Sequence, residues 1–242
     1  MIFTTLVEAL DQQHPVALAT VVRGSALGAK LLLDEQGLGL GTLGDEELDG
    51  AVRAVALALL DAEQSETRPF HTLAGEAVEV LIETYPAPPH LVIVGGVHIA
   101  IPLTDAAKLL GFRVTVVDPR TAFLTAERFP QADALVAEWP DEALPGLQLN
   151  RSTAVVILTH DPKLDNPATE AALRYPVRYL GAIGSTKTQD KRRAALHEAG
   201  VSEEDLARIH GPIGLPIGGV SPGEIAISIL AEIIAVWRGK QP

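Results

Sequence analysis

The sequence predicts an α/β protein in which an N-terminal α+β domain precedes a doubly wound parallel sheet. Strand-like segments joined by short turns dominate the chain up to Tyr85, whereas strands and helices alternate from Leu91 onward. Between these parts, residues 86–89 read Pro-Ala-Pro-Pro, and proline at this density cannot continue a sheet. We therefore place a domain boundary there and predict domains of residues 1–87 and 88–242.

The elements of the first domain are predicted from turn residues and apolar periodicity. Gly37 supplies the positive φ of a tight hairpin turn, and apolar residues recur at helical spacing after Gly44. The predicted elements are a helix from Phe3 to Leu10, a strand from Val16 to Val22, a hairpin of Lys30–Leu33 and Leu38–Thr42, a helix from Asp45 to Asp61 and a strand from Ala77 to Tyr85.

A β-α-β unit is predicted at the start of the second domain. The apolar run Leu91–Val94 is typical of a strand buried on both faces, and Gly95 and Gly96 end it in a turn. Apolar residues then recur at helical spacing, and a second apolar run, Phe112–Val117, forms the next strand. This order is that of the first half of a Rossmann-like sheet.

The chemistry of such a unit suits a dinucleotide. Its helix N-terminus attracts phosphate, and an acid at the tip of the second strand can hold ribose hydroxyls. Asp118 lies 21 residues after Val97, close to the usual spacing. Val97, however, stands where the dinucleotide fingerprint has its second glycine. A dinucleotide site and a plain structural β-α-β unit are therefore both compatible with the sequence.

The alternation continues to the end of the chain and favours a parallel, right-handed sheet. The further predicted elements are strands at Ala134–Val136, Ala154–Leu158 and Arg178–Ile183, a helix from Ala168 to Arg174, a basic helix carrying Lys191, Arg192 and Arg193, a helix cap at Ser202, a Gly/Pro-rich loop from Arg208 to Gly219, and a final helix from Pro222 to Trp237.

The final helix predicts a homodimer. Ser221 and Glu224 form a capping pair at its start, and only Ser228 and Glu232 interrupt its apolar surface. A single sheet can bury one stripe of such a helix, and monomers seldom expose a large apolar patch. A second copy of the chain, or the N-terminal domain folding across the helix, must cover the rest.

Candidate binding residues follow the carboxyl ends of the predicted strands, where open α/β sheets bind ligands. The turn at Gly184–Lys187 combines free N–H groups, a hydroxyl and an ammonium group, which suit a phosphate. We assign no catalytic residue. The predicted cofactor-binding residues are Gly95, Gly96, His98, Asp118, Arg120, His160, Asp161, Gly184, Ser185 and Lys187.

Structural roles compete with these assignments. Asp161 can cap the next turn while His160 lies on the rim, and the basic helix can be a solvated face. No ligand spacing indicates a metal site. The remaining histidines outside the C-terminal loop are expected on the surface, and they are His14, His71, His90 and His197.

Composition narrows the classes of function. The net charge of −12 disfavours nucleic acid as a partner, and residues 1–87 hold 4 Lys and Arg against 14 Asp and Glu. Without cysteine, disulfides, thiolate metal sites and a persulfide on this chain are excluded. No apolar run approaches the length of a membrane span and no signal peptide is visible, so we expect a cytoplasmic protein without membrane contact.

Several motifs resemble the xanthine dehydrogenase accessory factors, the XdhC/CoxI group. They are Val116–Arg120, Thr159-His160-Asp161, Tyr179–Ser185 and the long run from Arg208 through Glu232. In the first domain, Gly24-Ser25 with Gly28-Ala29-Lys30, and Gly41–Gly44, resemble degraded versions of the group's motifs. The resemblance covers nearly the whole chain and identifies it as a divergent member of the group.

This resemblance implies a function. Proteins of the group bind the molybdenum cofactor, a pterin dithiolene carrying phosphate, hold it during sulfuration by a cysteine desulfurase, and pass it to a xanthine dehydrogenase-type apoenzyme. It also implies a Rossmann domain and leans toward dimers. An oxidoreductase using NAD(P) at the crevice, and a partner-docking protein without ligand, are the rival hypotheses.

Three departures concern the first domain. Ala26-Leu27 replaces the group's Pro-Arg pair, Gly44-Asp45-Glu46 replaces Gly-Gly-Gly, and Ala74-Gly75-Glu76 replaces Cys-Gly-Gly. A missing arginine and added carboxylates weaken an anion site, and the missing cysteine removes a molybdenum or sulfur contact. The first domain is therefore expected to have a reduced cofactor role.

Overall fold

A computed structural model describes residues 1–240 and divides the chain into two compact units, the first ending at Ala87 and the second starting at Pro88. Among the described residues, no helix combines the length and apolarity that crossing a bilayer requires. The first unit contains α1 (Ile2–Asp11), β1 (Val16–Arg23), β2 (Lys30–Asp34), β3 (Gly39–Thr42), α2 (Glu46–Ala62), β4 (Glu66–His71) and β5 (Ala77–Tyr85).

The first unit is an antiparallel sheet with one helix on each face. The strand order is β3-β2-β1-β5-β4. Because side chains alternate along a strand, Ala17 and Ala19 of β1 pack towards α2, while Val16 and Leu18 pack towards α1. The sheet thus buries both of its faces, and the predicted α+β class is confirmed.

Strand β4 was not predicted, because Pro69 lies in its middle and proline argues against a central strand. In the structure β4 lies at the edge of the sheet and pairs only with β5. One side of an edge strand needs no donors, so the missing N–H of Pro69 is tolerated.

The second unit is a parallel sheet with helices on both faces. Its elements are β6 (His90–Val94), α3 (Ala100–Leu109), β7 (Arg113–Val117), β8 (Ala134–Val136), α4 (Pro140–Ala143), β9 (Thr153–Ile157), α5 (Pro162–Leu173), β10 (Tyr179–Ala182), α6 (Thr186–Glu198), α7 (Glu203–Leu206), β11 (Ile209–His210) and α8 (Pro222–Trp237), with 3₁₀ turns at Thr121–Phe123 and Leu144–Leu147. The strand order β11-β10-β9-β6-β7-β8 is that of a Rossmann sheet, which confirms the predicted fold.

Apolar clusters on the two faces hold this sheet. On one face, Leu103 of α3 and Ile229 of α8 pack against Leu91, Val114 and neighbouring strand residues. On the other face, α4 and α5 cover a second cluster that includes Val92 and Val155. The strands β6 and β9 at the centre are completely buried, as their uninterrupted apolar sequence requires.

Two elements of this unit differ from the prediction. Helix α5 starts at Pro162 rather than near Ala168, because the Asp161 carboxylate accepts a hydrogen bond from the Lys163 N–H and proline fits the first helical position. The Gly/Pro-rich segment contains the short strand β11, which pairs with β10 through Leu180 and Gly181.

The prediction that His90 lies on the surface was wrong, since it is 4% exposed. It starts β6, and its neighbours in the parallel sheet enclose its ring. Its Nδ1 lies 3.0 Å from an Arg113 nitrogen and its Nε2 lies 2.9 Å from Thr115 Oγ1. Arginine only donates, so Nδ1 accepts, and the proton of the neutral ring is on Nε2.

His90 is expected to stay neutral down to about pH 5. Burial, with the charge of Arg113, lowers the pKa of His90 to about 3 from 6.5. The unfolded chain therefore takes up a proton that the folded chain refuses, and this contribution to stability, complete above 6.5, is lost as pH falls towards 3. A ¹⁵N NMR titration of the imidazole, assigned by its disappearance in His90→Gln, measures this. Protonation of His90 above pH 5 would contradict the assignment of the tautomer and the burial.

Candidate ligand-binding site

The strand order reverses between β6 and β9, and the turns that follow these strands meet there. Gly95, after β6, has φ +107°, and a Cβ on it would lie 2.6 Å from Thr159 Cγ2 after β9. Ligands of open α/β sheets bind beyond the carboxyl ends of the strands at such a reversal. The predicted residues after β6, β7 and β9 therefore lie along the carboxyl edge that includes this point.

Gly96 packs closely against the segment that follows β7. A Cβ on Gly96 would lie 2.8 Å from the Phe123 carbonyl oxygen, so only glycine fits without a shift of the backbone. Its N–H donates a hydrogen bond of 2.8 Å to Asp118 Oδ2. The turn after β6 is thereby fixed to the tip of β7.

Asp118 is an internal counter-ion. Its side chain is completely buried, and it accepts bonds from the Gly96 N–H and from the backbone N–H, Nε and an Nη of Arg120, at 2.7–3.0 Å. Burial alone would raise the pKa of Asp118, but the bonds from Arg120 and Gly96 outweigh it and lower the pKa. The carboxylate is thus ionised and engaged, and it positions Arg120 instead of presenting free oxygens to a ribose.

Arg120 presents a fixed positive charge at this edge. Its side chain is 40% exposed, and its guanidinium carbon lies 4.3 Å from the centroid of the Phe123 ring. Hydrogen bonds to Asp118 raise the pKa of Arg120, and the charge of Asp161 contributes in the same direction. The guanidinium is therefore held between a buried carboxylate and an aromatic face.

A second guanidinium, that of Arg128, flanks the same ring. Its carbon lies 5.5 Å from the Phe123 centroid, and its Nη1 donates a bond of 3.0 Å to the Phe123 carbonyl oxygen. Sequence reasoning missed Phe123 and Arg128, because no periodicity or motif marks the loop after β7. The only signal was two arginines and an aromatic residue within about ten positions after Asp118.

The histidines and Asp161 occupy exposed positions. His98 lies in the turn before α3, and His160 and Asp161 follow β9. Asp161 caps α5 through a bond of 3.0 Å from the Lys163 N–H, so its structural role is observed. Its charge also acts on Arg120. Asp161 is thereby the member of this group with a defined relation to the Arg120 guanidinium.

The predicted residues after β10 form a separate group. Gly184 has φ +129°, Ser185 caps α6 through the Thr188 N–H at 3.4 Å, and Lys187 is exposed. A cavity of about 190 Å³ lies beside α6 and is lined by Thr186 and, after β11, by Gly211. The site residues named from the sequence thus divide between the β6–β9 reversal and the β10–β11 side of the sheet.

The basic helix α6 is not wholly a solvated face. Arg192 is 5% exposed and pairs with the buried Asp165 at 2.9 Å. Asp165 also accepts a hydrogen bond from Thr159 Oγ1. The sequence could not show this, because α5 and α6 are brought together only by the fold.

In the first unit, carboxylates close the start of α2. Asp45, at a position where the resemblance implies glycine, accepts bonds of 2.9 Å from the N–H groups of Leu48 and Leu73. These bonds, that of Leu48 first, lower the pKa of Asp45. Asp49 accepts a third bond, of 2.7 Å, from the Leu43 N–H. An external anion would find these donors already engaged.

A six-stranded Rossmann sheet, with glycines at its strand reversal and paired guanidinium groups beside it, defines a Rossmann-type ligand-binding protein. Family comparison is consistent with this class and specifies it. The model described as "XdhC Rossmann domain" matches residues 91–233, and the model "XdhC and CoxI family" matches residues 9–71. The chain belongs to the XdhC and CoxI family.

Three curated relatives are similar to this chain. "Uncharacterized protein YqeB" of Escherichia coli (strain K12) is 32% identical over 97% of this chain and 46% of its own length. One chain of a probable xanthine dehydrogenase of Bacillus subtilis (strain 168) is 30% identical over 66% and 46%. "Molybdenum cofactor insertion chaperone PaoD" of Escherichia coli (strain K12) is 37% identical over 37% and 28%. The chain spans less than half the length of each of these relatives.

A solved structure shows the same fold. The crystal structure of a xanthine dehydrogenase from Bacillus halodurans matches 97% of this chain and 96% of its own, with a TM-score of 0.57 and 20% identity. At this identity the likeness establishes the fold alone. The functional argument therefore depends on the family, the relatives' names and the site.

Proposed function

We propose that the chain is a non-catalytic accessory protein that binds a molybdopterin-type cofactor and assists its sulfuration and insertion into a xanthine dehydrogenase-type enzyme. Membership of the XdhC and CoxI family and the names of the relatives support a role in molybdoenzyme maturation. The observation that carries the binding step is the Arg120 guanidinium, which Asp118 holds at the carboxyl edge beside Gly96.

This site fits the phosphate end of such a cofactor. Arg120 and Arg128 both lie against the ring of the turn residue Phe123, and the turn at Gly96 brings backbone close to them. Guanidinium groups and close backbone are the usual partners of a phosphate. When bound, the cofactor would supply the molybdenum and dithiolene chemistry, while the chain would orient its phosphate and keep its other end available.

The described residues fit the metal end less well. Within residues 1–240, no group of three or more His, Asp or Glu side chains is arranged to hold a metal ion. The chain also has no thiol, so sulfur must come from another protein, for which a cysteine desulfurase is the proposed partner. The proposed recipient is a xanthine dehydrogenase-type apoenzyme.

The test uses ligand retained by the purified chain. Protein from a molybdenum-replete host is expected to release a phosphate-bearing pterin detectable by mass spectrometry. Arg120→Gln should retain about tenfold less, since one charge-assisted contact is removed. Arg174→Gln is the matched control, because Arg174 is exposed at the end of α5, on the opposite edge of the sheet.

The outcomes separate the rival functions. Equal retention by both variants would contradict the assignment of Arg120. Release of NADP⁺ instead of a pterin would support a nucleotide-dependent oxidoreductase, since an arginine beside the second strand can hold a 2′-phosphate. Release of nothing, with no thermal shift by either compound, would leave partner docking as the function.

We also propose that the chain is a homodimer. Ile227 and Ile234 of α8 are 53% and 40% exposed, although most of the helix packs against the sheet and α3. Light scattering at micromolar concentration should give twice the chain mass of 25.6 kDa. A mass near that of one chain would rule out the dimer.

A further inference from the structure

The cavity beside α6 contains a feature that the proposed function does not use. It has a volume of about 190 Å³ and is lined by Thr186, Gln189, Asp190, Arg192, Arg193 and Gly211. It lies against α6 and β11, two strands away from the reversal between β6 and β9. It is therefore distinct from the Arg120 site.

Arg192 is the buried polar group of this cavity. Its side chain is 4% exposed, and both of its Nη atoms donate, one to Gln189 and the other to Asp165 and to the Ile183 carbonyl oxygen. Its Nε is buried and has no hydrogen-bond partner. Buried N–H groups in folded proteins are nearly always paired with protein, water or ligand. A molecule that accepts a hydrogen bond is therefore missing from the surroundings of this atom.

The guanidinium cannot turn away to find another acceptor. Asp165 anchors one Nη at 2.9 Å and is itself held by Thr159. Gln189, which receives the other Nη, donates in turn to the Ala182 carbonyl oxygen at 2.9 Å. The direction of the Nε–H is therefore fixed before any ligand arrives, which lowers the entropy cost of binding.

The charges around the cavity restrict the ligand. Asp165 neutralises Arg192, so the net attraction comes from Arg193, which pairs with Glu203 at the surface, and from the N-terminus of the 13-residue helix α6. Asp190 in the lining repels a high negative charge. These groups favour a small, singly charged oxyanion with one oxygen on the Arg192 Nε.

We propose that this cavity is a second binding site, for a small oxyanion of the carboxylate or monoanionic phosphate kind. The site does not depend on the proposed cofactor function. A free phosphate and a small carboxylic acid present the same acceptor oxygens, and direct comparison of the two identifies the source.

NMR of the arginine Nε–H groups tests the proposal on the full chain. The Arg192 signal, assigned through its own Cδ, should shift saturably when either inorganic phosphate or acetate is added at constant ionic strength. Arg193→Gln, at an exposed position, should weaken binding about threefold, because a partly screened charge is lost. Lys191→Gln is the control on the same helix, outside the cavity lining, and should leave the affinity unchanged.

Arg192→Lys provides the second variant, because it keeps a charge beside Asp165 and removes the Nε–H. It should fold, as measured by circular dichroism, and bind about tenfold more weakly. If Arg192→Lys does not fold, the Arg193→Gln and Lys191→Gln pair decides. A shift that is absent, that grows linearly without saturation, or that is the same in Arg193→Gln and wild type would mean that only water or an adventitious ion meets the Nε–H, and would overturn the proposal.

Discussion

Replacing Glu232 with leucine is expected to lower the free energy of unfolding by about 3–5 kcal/mol. Glu232 is 6% exposed and accepts hydrogen bonds from the Tyr179 hydroxyl and, at 2.8 Å, from the Gly214 N–H. Its other oxygen lies 3.5 Å from His210 Nδ1. The leucine would leave these donors buried without an acceptor, so urea unfolding should shift strongly.

The surroundings of Glu232 also define a pH dependence. Burial alone would raise the pKa of Glu232, but hydrogen bonds from His210, Tyr179 and Gly214 outweigh it and lower the pKa. This stabilisation is present above the ordinary value of 4.5 and is lost as pH falls below it. Wild type should therefore lose more stability than Glu232→Leu between about pH 6 and pH 4.

Conservative variants test the same cluster. Tyr179→Phe removes one donor and Glu232→Gln keeps one acceptor oxygen, so each should cost about 1–2 kcal/mol. Combining Tyr179→Phe with Glu232→Leu should cost less than the sum of the two single changes, because they remove one shared bond. Stability of Glu232→Leu within about 1 kcal/mol of wild type would show that the bonds contribute little.

Gly95→Ala is expected to cost about 3–5 kcal/mol, from left-handed backbone strain and overpacking together. Gly95 has φ +107°, and its new methyl carbon would lie 2.6 Å from Thr159 Cγ2 and 3.2 Å from the Thr159 backbone nitrogen. Because strand β6 and the residues after β9 meet here, the variant should also reduce the retained ligand. Thermal denaturation and ligand mass spectrometry measure the two effects.

Gly111→Ala separates strain from clash. Gly111 follows α3 with φ +81°, but a Cβ there would meet no atom within 4 Å. It should therefore show only the backbone cost, about 1 kcal/mol, and retain ligand normally. If both variants lose the same stability, the contact of Gly95 with Thr159 is not what restricts that turn.

The sequence predicted most of the fold because local patterns decide it. Alternating strands and helices, the glycines after Val94 and the capping pair Ser221 and Glu224 each act within a few residues, and the capping box is present in the structure. Strand β4 and strand β11 were missed for the opposite reason. Pro69 and the Gly/Pro-rich segment resemble loops until an edge position makes them strands.

The site was harder to predict, because its geometry joins distant segments. The spacing located Asp118, but not that Arg120 would occupy its carboxylate. His90 and Arg192 look solvated in the sequence, yet each is buried by elements far along the chain. Arg128 carries no motif, and only the loop after β7 brings it to Phe123.

The closed start of α2 has a consequence for how the first unit could take up a ligand. The carboxylate of Asp45 already sits on the N–H groups of Leu48 and Leu73. It is a competitor attached to the same chain, whose local concentration is on the order of millimolar or above and never falls by dilution. A visiting phosphate must outcompete this resident group, so strengthening the helix and admitting a guest have become opposing demands on the same two donors.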